Sequence, residues 1–228
     1  MPNNRIEYPK KVSPKGIAVY PHLNKPDDKF GDPTFKVTLR VPEEDAQDFI
    51  SEVQAVLDRI KAGKDDLLRP DDAKRLAQGL KQKKLKAAEP AFVQETDDDG
   101  TPTGDVLLKF KAAGQYKDKD GNIKQRTIRF IDAAKQPITK APEVWGGSTL
   151  RVRAQLMPWV NGQFSYGVKL GIDLVQIIEL RSSGSGSSVN TAGFDDEDGY
   201  TTTASSDAGS NREAPAGTSD GGEEDGDF

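Results

Sequence analysis

The chain has no cysteine and one histidine, His22. The missing thiols remove disulfides, thiol catalysis and cysteine-ligated zinc, and they suit a reducing compartment. His22, between Pro21 and Leu23, reads as structural. No apolar run approaches the roughly 18 residues of a membrane helix. The first 20 residues carry no signal-peptide core, so a cytoplasmic location is expected. There is no Walker loop, no Rossmann glycine fingerprint and no Gly-x-Ser-x-Gly elbow. The paired acids fall in turns, at helix starts or near the C terminus, so no strand offers the inward carboxylate pair of a magnesium nuclease. Asp118-Lys119-Asp120-Gly121 resembles a calcium loop, but its glycine comes too early and no glutamate closes it. Neither an enzyme nor a cofactor or metal is expected, which leaves binding.

What is present is an uneven charge. The net charge is −5 over 228 residues. Ser182 to Phe228 holds eleven acids and one base, a charge of −10. Residues 1–181 hold 31 bases and 26 acids, a charge of +5. A basic body points to an anionic partner, and the tail to a mimic of that partner or a handle for another basic surface.

The body reads as short strands. Thr149 to Trp159 puts Leu150, Val152, Ala154 and Leu156 on one parity and Arg151, Arg153 and Gln155 on the other. A strand has side-chain period two, so this segment has one apolar and one cationic face. Asn161-Gly162 signals a hairpin, with Phe164, Tyr166 and Lys169 on the return strand. Phe35 to Val41 alternates likewise, with Lys36 and Arg40 outward. Asp105 to Ala112 puts Lys109 and Lys111 outward. Further strands are read at Gly16–Pro21, Ala91–Gln94 and Arg126–Ile131, the last with Arg126 and Arg129 exposed. Met1 to Pro14 reads as a frayed polar arm, and 24–33 and 137–147 as loops.

One helical insertion spans about residues 42–88. Pro42 opens it, and Glu43, Glu44 and Asp45 suit the positive end of a helix. Ala46, Phe49, Ile50, Val53, Leu57 and Ile60 form an apolar stripe. A weaker helix follows Pro70 and runs into the lysines at 81–86, read as a solvated helix end. Residues alone therefore predict a mainly β body, a small barrel or sandwich, over 1–181, and a flexible linker with a disordered acidic tail over 182–228.

Three strands each carry two cations on one parity, and Tyr20, Tyr116, Trp159 and Tyr166 lie at their edges. Cations for phosphates and rings for bases are what sequence-tolerant single-strand binding uses. Arginines on an open strand face are otherwise just solvated. Two other classes fit the same residues: an RNA-binding module, and an interaction protein acting through its acidic tail.

The order of several short motifs resembles one family. These are Lys25-Pro26-Asp27, Phe30-Gly31-Asp32-Pro33, Lys36-Val37-Thr38-Leu39, Lys109-Phe110-Lys111, Gly146-Gly147-Ser148, Leu150-Arg151-Val152-Arg153, Pro158-Trp159 and Val168-Lys169-Leu170. The chain ends Glu224-Asp225-Gly226-Asp227-Phe228. This pattern resembles the single-stranded DNA-binding proteins of T-seven-like podophages. The resemblance implies an antiparallel OB-fold barrel with an inserted helix, a homodimer, and work in DNA replication, recombination and repair in the host cytoplasm. It also implies DNA contacts at Lys109, Lys111, Arg151 and Arg153 and stacking on Trp159. Lys36, Arg40, Tyr116, Arg126, Arg129 and Tyr166 complete the expected DNA surface. Glu223, Glu224, Asp225, Asp227 and Phe228 are the expected docking residues for a DNA polymerase or helicase-primase. Two departures stand out: the tail is rich in Ser, Gly and Thr and less densely acidic, and the hairpin's basic pair is arginine rather than lysine.

Overall fold

Alternation along the strands sets the inside and outside of this molecule. The computed structural model describes residues 6–29, 31–63, 65–161 and 165–181. Phe164 and the tail residues Glu223, Glu224, Asp225, Asp227 and Phe228 lie outside the described residues.

The elements in chain order are β1 (Lys10–Val12), β2 (Gly16–Asp27), β3 (Thr34–Pro42), α1 (Glu43–Lys61), a 3-10 turn (Asp65–Leu67), α2 (Pro70–Lys81), β4 (Lys86–Ala87), β5 (Phe92–Thr96), β6 (Pro102–Ala113), β7 (Gln115–Lys117), β8 (Ile123–Gln125), β9 (Phe130–Ile131), β10 (Pro137–Ile138), β11 (Thr149–Asn161) and β12 (Ser165–Glu179). Five of them close on themselves: β2, β3, β6, β12 and β11 pair in that cyclic order. All contacts around the ring are antiparallel except β6 with β12, which is parallel. This is the strand order of an OB-like barrel, with both helices inserted between β3 and β6.

Inside lie Leu39, Val41, Leu108, Phe110, Leu156 and Leu170, all essentially buried. They are the alternate residues expected from period two. Helix α1 has no side-chain N-cap, but Glu43, Glu44 and Asp45 in its first turn favour the helix dipole. It buries Ala46, Phe49, Val53, Val56 and Ile60 against the barrel. The Phe49 ring meets Phe110 of β6 with centroids 6.1 Å apart. The helix thereby covers an apolar opening, and Ile50 and Leu57 of the expected stripe lie partly buried at its flank.

The structure redraws several strand boundaries. The first strand continues through 24–27, which sequence reading assigned to a loop. Of the expected strand at Arg126–Ile131 only Phe130–Ile131 forms one, β9, and residues 126–129 are irregular. The N-terminal arm is not frayed throughout: β1 pairs antiparallel with β11, Lys10 opposite Gln155 and Val12 opposite Arg153. It is anchored by Ser13, which is fully buried. Ser13 N–H donates to Val152 O at 2.9 Å, and the Val152 N–H donates to Ser13 Oγ at 2.9 Å. The hydroxyl replaces a missing ladder carbonyl.

Ser13→Ala would leave the buried Val152 N–H without an acceptor. An unmet buried donor costs about 1–3 kcal/mol. The expected result is a lower denaturant midpoint by that amount at unchanged m-value, while Ser13→Thr retains most of the stability.

Candidate nucleic-acid interface

The outer face of the barrel can be followed strand by strand through its register. His22 of β2 lies opposite Lys36 of β3, and Lys36 opposite Lys111 of β6. Lys111 pairs with Gly171 of β12, Gly171 with Gln155 of β11, and Gln155 with Lys10 of β1. One transverse row thus carries Lys10, Lys36 and Lys111. Beside it, Lys109 lies opposite Thr38. Arg151, Arg153, Gln155, Met157 and Trp159 share the outward parity of β11 and are half-buried.

The cations differ in what holds them. Lys109 and Lys111 are exposed and make no ion pair among the described residues. Lys36 is paired with Asp27. The same bond, with the Lys29 N–H, draws the Asp27 carboxyl below its usual range. Arg40 is held by Glu95 of β5 through two bonds of 2.6 and 2.9 Å. Arg151 donates from Nε to Ser13 O at 3.0 Å and lines a shallow groove with Asp48 and Glu52 of α1. Arg126 lies over the ring of Tyr116, 5.7 Å from its centroid. That pair sits on the β7–β8 hairpin, which leaves β6 just beyond Lys111 and is tied back by the Arg126 N–H to Gly114 O at 2.7 Å.

Arg153 and Arg129 converge on a residue that sequence reading missed. A bulge in β12 sets both Asp173 and Leu174 opposite Arg153, since Arg153 pairs with Leu174 and Ala154 with Ile172. The bulge re-aims the residues after it, turning Val175 and Ile177 inward. Asp173 keeps the outward parity of Lys169 and Gly171, and its carboxylate meets Arg153 at 2.7 Å, Arg129 at 3.1 Å and Lys10 at 3.5 Å. Three cations share one anion, so the cluster keeps a charge of +2. The Asp173 side chain is only 8% exposed. Burial alone would raise its pKa, but the Arg153 hydrogen bond and the charges of Arg153, Lys10 and Arg129 outweigh it and hold the carboxyl below its usual range.

Trp159 lies on a glycine. It pairs with Gly167 across the hairpin, and a Cβ built on Gly167 would meet three indole atoms, Cε2, Cζ2 and Nε1, each at 3.3 Å. Equal distances to three ring atoms mean an approach from the ring face. One face of the indole rests on the Gly167 backbone, and the side chain is half-buried. Tyr166 is a correction. It pairs with Val160 on the inward parity and is 5% exposed, so it belongs to the core rather than to the surface.

Two more lysines reach this surface. Lys169 is exposed opposite Met157. Its outward parity was readable in the sequence. Lys86, read as part of a solvated helix end, forms β4 and pairs with Ser165, two residues from Gly167. No local pattern announces that pairing.

The Asp173 cluster has a definite pH dependence. A carboxyl with a lowered folded pKa stabilises the fold above its ordinary value of 3.8, and the contribution is lost as pH falls through the lowered value. The stability difference between wild type and Asp173→Asn is therefore expected to be constant near neutrality and to shrink below pH 3.8. Urea midpoints of both proteins across that range check it.

A family model described as "Single-stranded DNA-binding protein, Bacteriophage T7" matches residues 15–180. The single-stranded DNA-binding protein of Escherichia phage T7 is 28% identical over 225 residues, covering 92% of this chain and 94% of that protein. That of Enterobacteria phage T3 is 27% identical over 214 residues, covering 87% of this chain and 88% of that protein. The crystal structure of gp2.5, the single-stranded DNA-binding protein encoded by bacteriophage T7, superposes with a TM-score of 0.61 at 22% identity. It covers 78% of this chain and 95% of that one, and the likeness is one of fold. On the span of the family match, the chain belongs to the bacteriophage T7 single-stranded DNA-binding protein family.

Proposed function

We propose that this chain coats single-stranded DNA without regard to sequence, in phage DNA replication, recombination and repair. The strand would lie across the outer face of β3, β6, β12 and β11. The observation that carries this reading is the pair Lys109 and Lys111, two cations without an ion pair among the described residues, on the strand next to the Trp159 hairpin. Phosphates meet lysines whose charge is not already spent on a carboxylate, and a base stacks on an indole braced from behind. Arg153, Arg129 and Lys10 add a prearranged positive cluster at its border. Lys36 and Arg40 reach phosphate only in competition with Asp27 and Glu95.

The acidic tail enters the same reading through its charge. A −10 segment joined to a +5 body by a Ser/Gly linker competes with DNA for the cations. Displaced by DNA, it becomes available to a polymerase or helicase-primase, with Glu223, Glu224, Asp225, Asp227 and Phe228 as contacts. A homodimer, acting in the host cytoplasm, belongs to this reading too.

Lys109→Ala with Lys111→Ala is expected to flatten the log–log salt dependence of binding by about 1.4, at about 0.7 per phosphate contact on a single strand. Titration of dT oligonucleotides at several salt concentrations measures this. An unchanged slope in a folded double variant removes β6 from the site. Deleting Ser182 to Phe228 is expected to tighten DNA binding, most at low salt, where the Debye length is about 30 Å at 0.01 M against about 10 Å at 0.1 M. Equal affinities for the full and shortened chains at low salt would end the competition model.

A further inference from the structure

Two further exposed aromatic residues, Tyr20 and Trp145, line one cleft beside β2. β2 carries an irregularity between Val19, opposite Thr38, and His22, opposite Lys36. Three register steps on β2 face two on β3, and Tyr20 and Pro21 lie between them. Tyr20 has φ +47° and is 83% exposed. A bulky non-glycine residue in the left-handed region is strained, and such strain persists only where the surroundings enforce it. Burial does not explain it here, because the ring is held out in solvent.

Opposite Tyr20 runs the segment 144–148. It is fixed to β2 by the Gly147 N–H to Ala18 O at 2.9 Å, the Ala18 N–H to Ser148 O at 2.8 Å, and the Val144 N–H to Asn24 Oδ1 at 3.1 Å. Trp145 on that segment is 43% exposed. Between the two lies an open, mainly apolar cleft of about 510 Å³, bordered by Ile17, His22 and Arg40 as well as by both rings. His22 is the near end of the row that continues through Lys36 to Lys111. A phosphate chain lying on Lys111 and Lys36 is thus led directly to the cleft.

Resting on the DNA-binding reading above, we propose that the cleft between Tyr20 and Trp145 is a second base-stacking subsite for the same single strand. Along the path β2, β3, β6, β12, β11 the row from His22 reaches Gln155 after about four strand spacings, roughly 19 Å, and Trp159 lies further along that strand. The lysine row leads from the cleft towards β11, the strand that carries Trp159. A short oligonucleotide fills one of the two platforms, and a longer one fills both. The occupant is a nucleobase rather than an apolar peptide because the cleft adjoins the row that runs through Lys36 to Lys111, and its lining includes two exposed aromatic residues.

The chain has two tryptophans, which makes the test direct. In Trp159→Phe, all tryptophan emission comes from Trp145. Titrating this variant with dT oligonucleotides of increasing length is expected to give no quench with the shortest strands that bind and a clear quench above a threshold length. Tyr20→Ala, at an exposed position that the fold does not need, is expected to weaken a long oligonucleotide about 5- to 150-fold, the range of one stacking contact. It should leave short-strand affinity and the salt slope unchanged, since the ring carries no charge. If long DNA binds the full chain while Trp145 emission stays constant, or if Tyr20→Ala binds long DNA as wild type does, the second subsite is wrong. If the full chain binds no single-stranded DNA at all, the broader reading fails instead.

Discussion

The barrel is closed by two residue pairs. Leu170 with Phe110, and Gly171 with Lys111, join β12 to β6 in parallel. On the inside, Phe110 and Leu170 are each about 1% exposed, so burial holds the seam. On the outside, the same step sets Lys111 beside a residue without a side chain. Past that point the strands part: β5 takes over the edge of β6 and β4 that of β12. Without the seam, the lysines of β6 and the arginines of β11 would lie at opposite ends of an open sheet. With it they share one surface, so the site depends on the core at that crossing.

Charge on this surface is graded rather than uniform. Lys36 and Arg40 already have carboxylate partners, and Arg151 is bound to a backbone carbonyl. Lys109 and Lys111 have none among the described residues. Exposed ion pairs contribute little to stability. Their main effect here is positional, since they keep long side chains flat on the sheet. The Asp173 cluster goes further. Three cations at that spacing repel one another, and one buried anion turns the repulsion into a fixed arrangement with positive charge to spare.

Much of this was legible in the sequence because strand and helix periods are local. The alternation of β3, β6 and β11 gave their inner and outer residues, and the acidic first turn and apolar stripe gave α1. Tyr166 was also legible: it shares parity with Val168 and Leu170, and weight given to aromatics near a hairpin tip placed it on the wrong face. Other features were not local. Asp173 keeps the outward parity of Lys169 and Gly171, but the bulge after it turns Val175 and Ile177 inward, so parity does not run unbroken through that apolar stretch. Lys86 meets Ser165, and Ser13 meets Val152, across long stretches of chain that no window spans. The glycine beneath Trp159 has meaning only once the register of the hairpin is known.

The strand formed by Lys10–Val12 has a consequence for neighbouring molecules. β11 touches β2 only at Thr149 and Leu150, so most of that side of a 13-residue strand would be an unsatisfied edge. Such an edge is a template for pairing with another chain. β1 occupies it at Arg153 to Gln155, with Lys10 and Lys11 as charged guards. Copies crowded side by side on one DNA strand would meet at high local concentration, where exposed strand edges fuse into sheets. β1 thus covers part of an edge through which neighbouring copies would otherwise be free to pair.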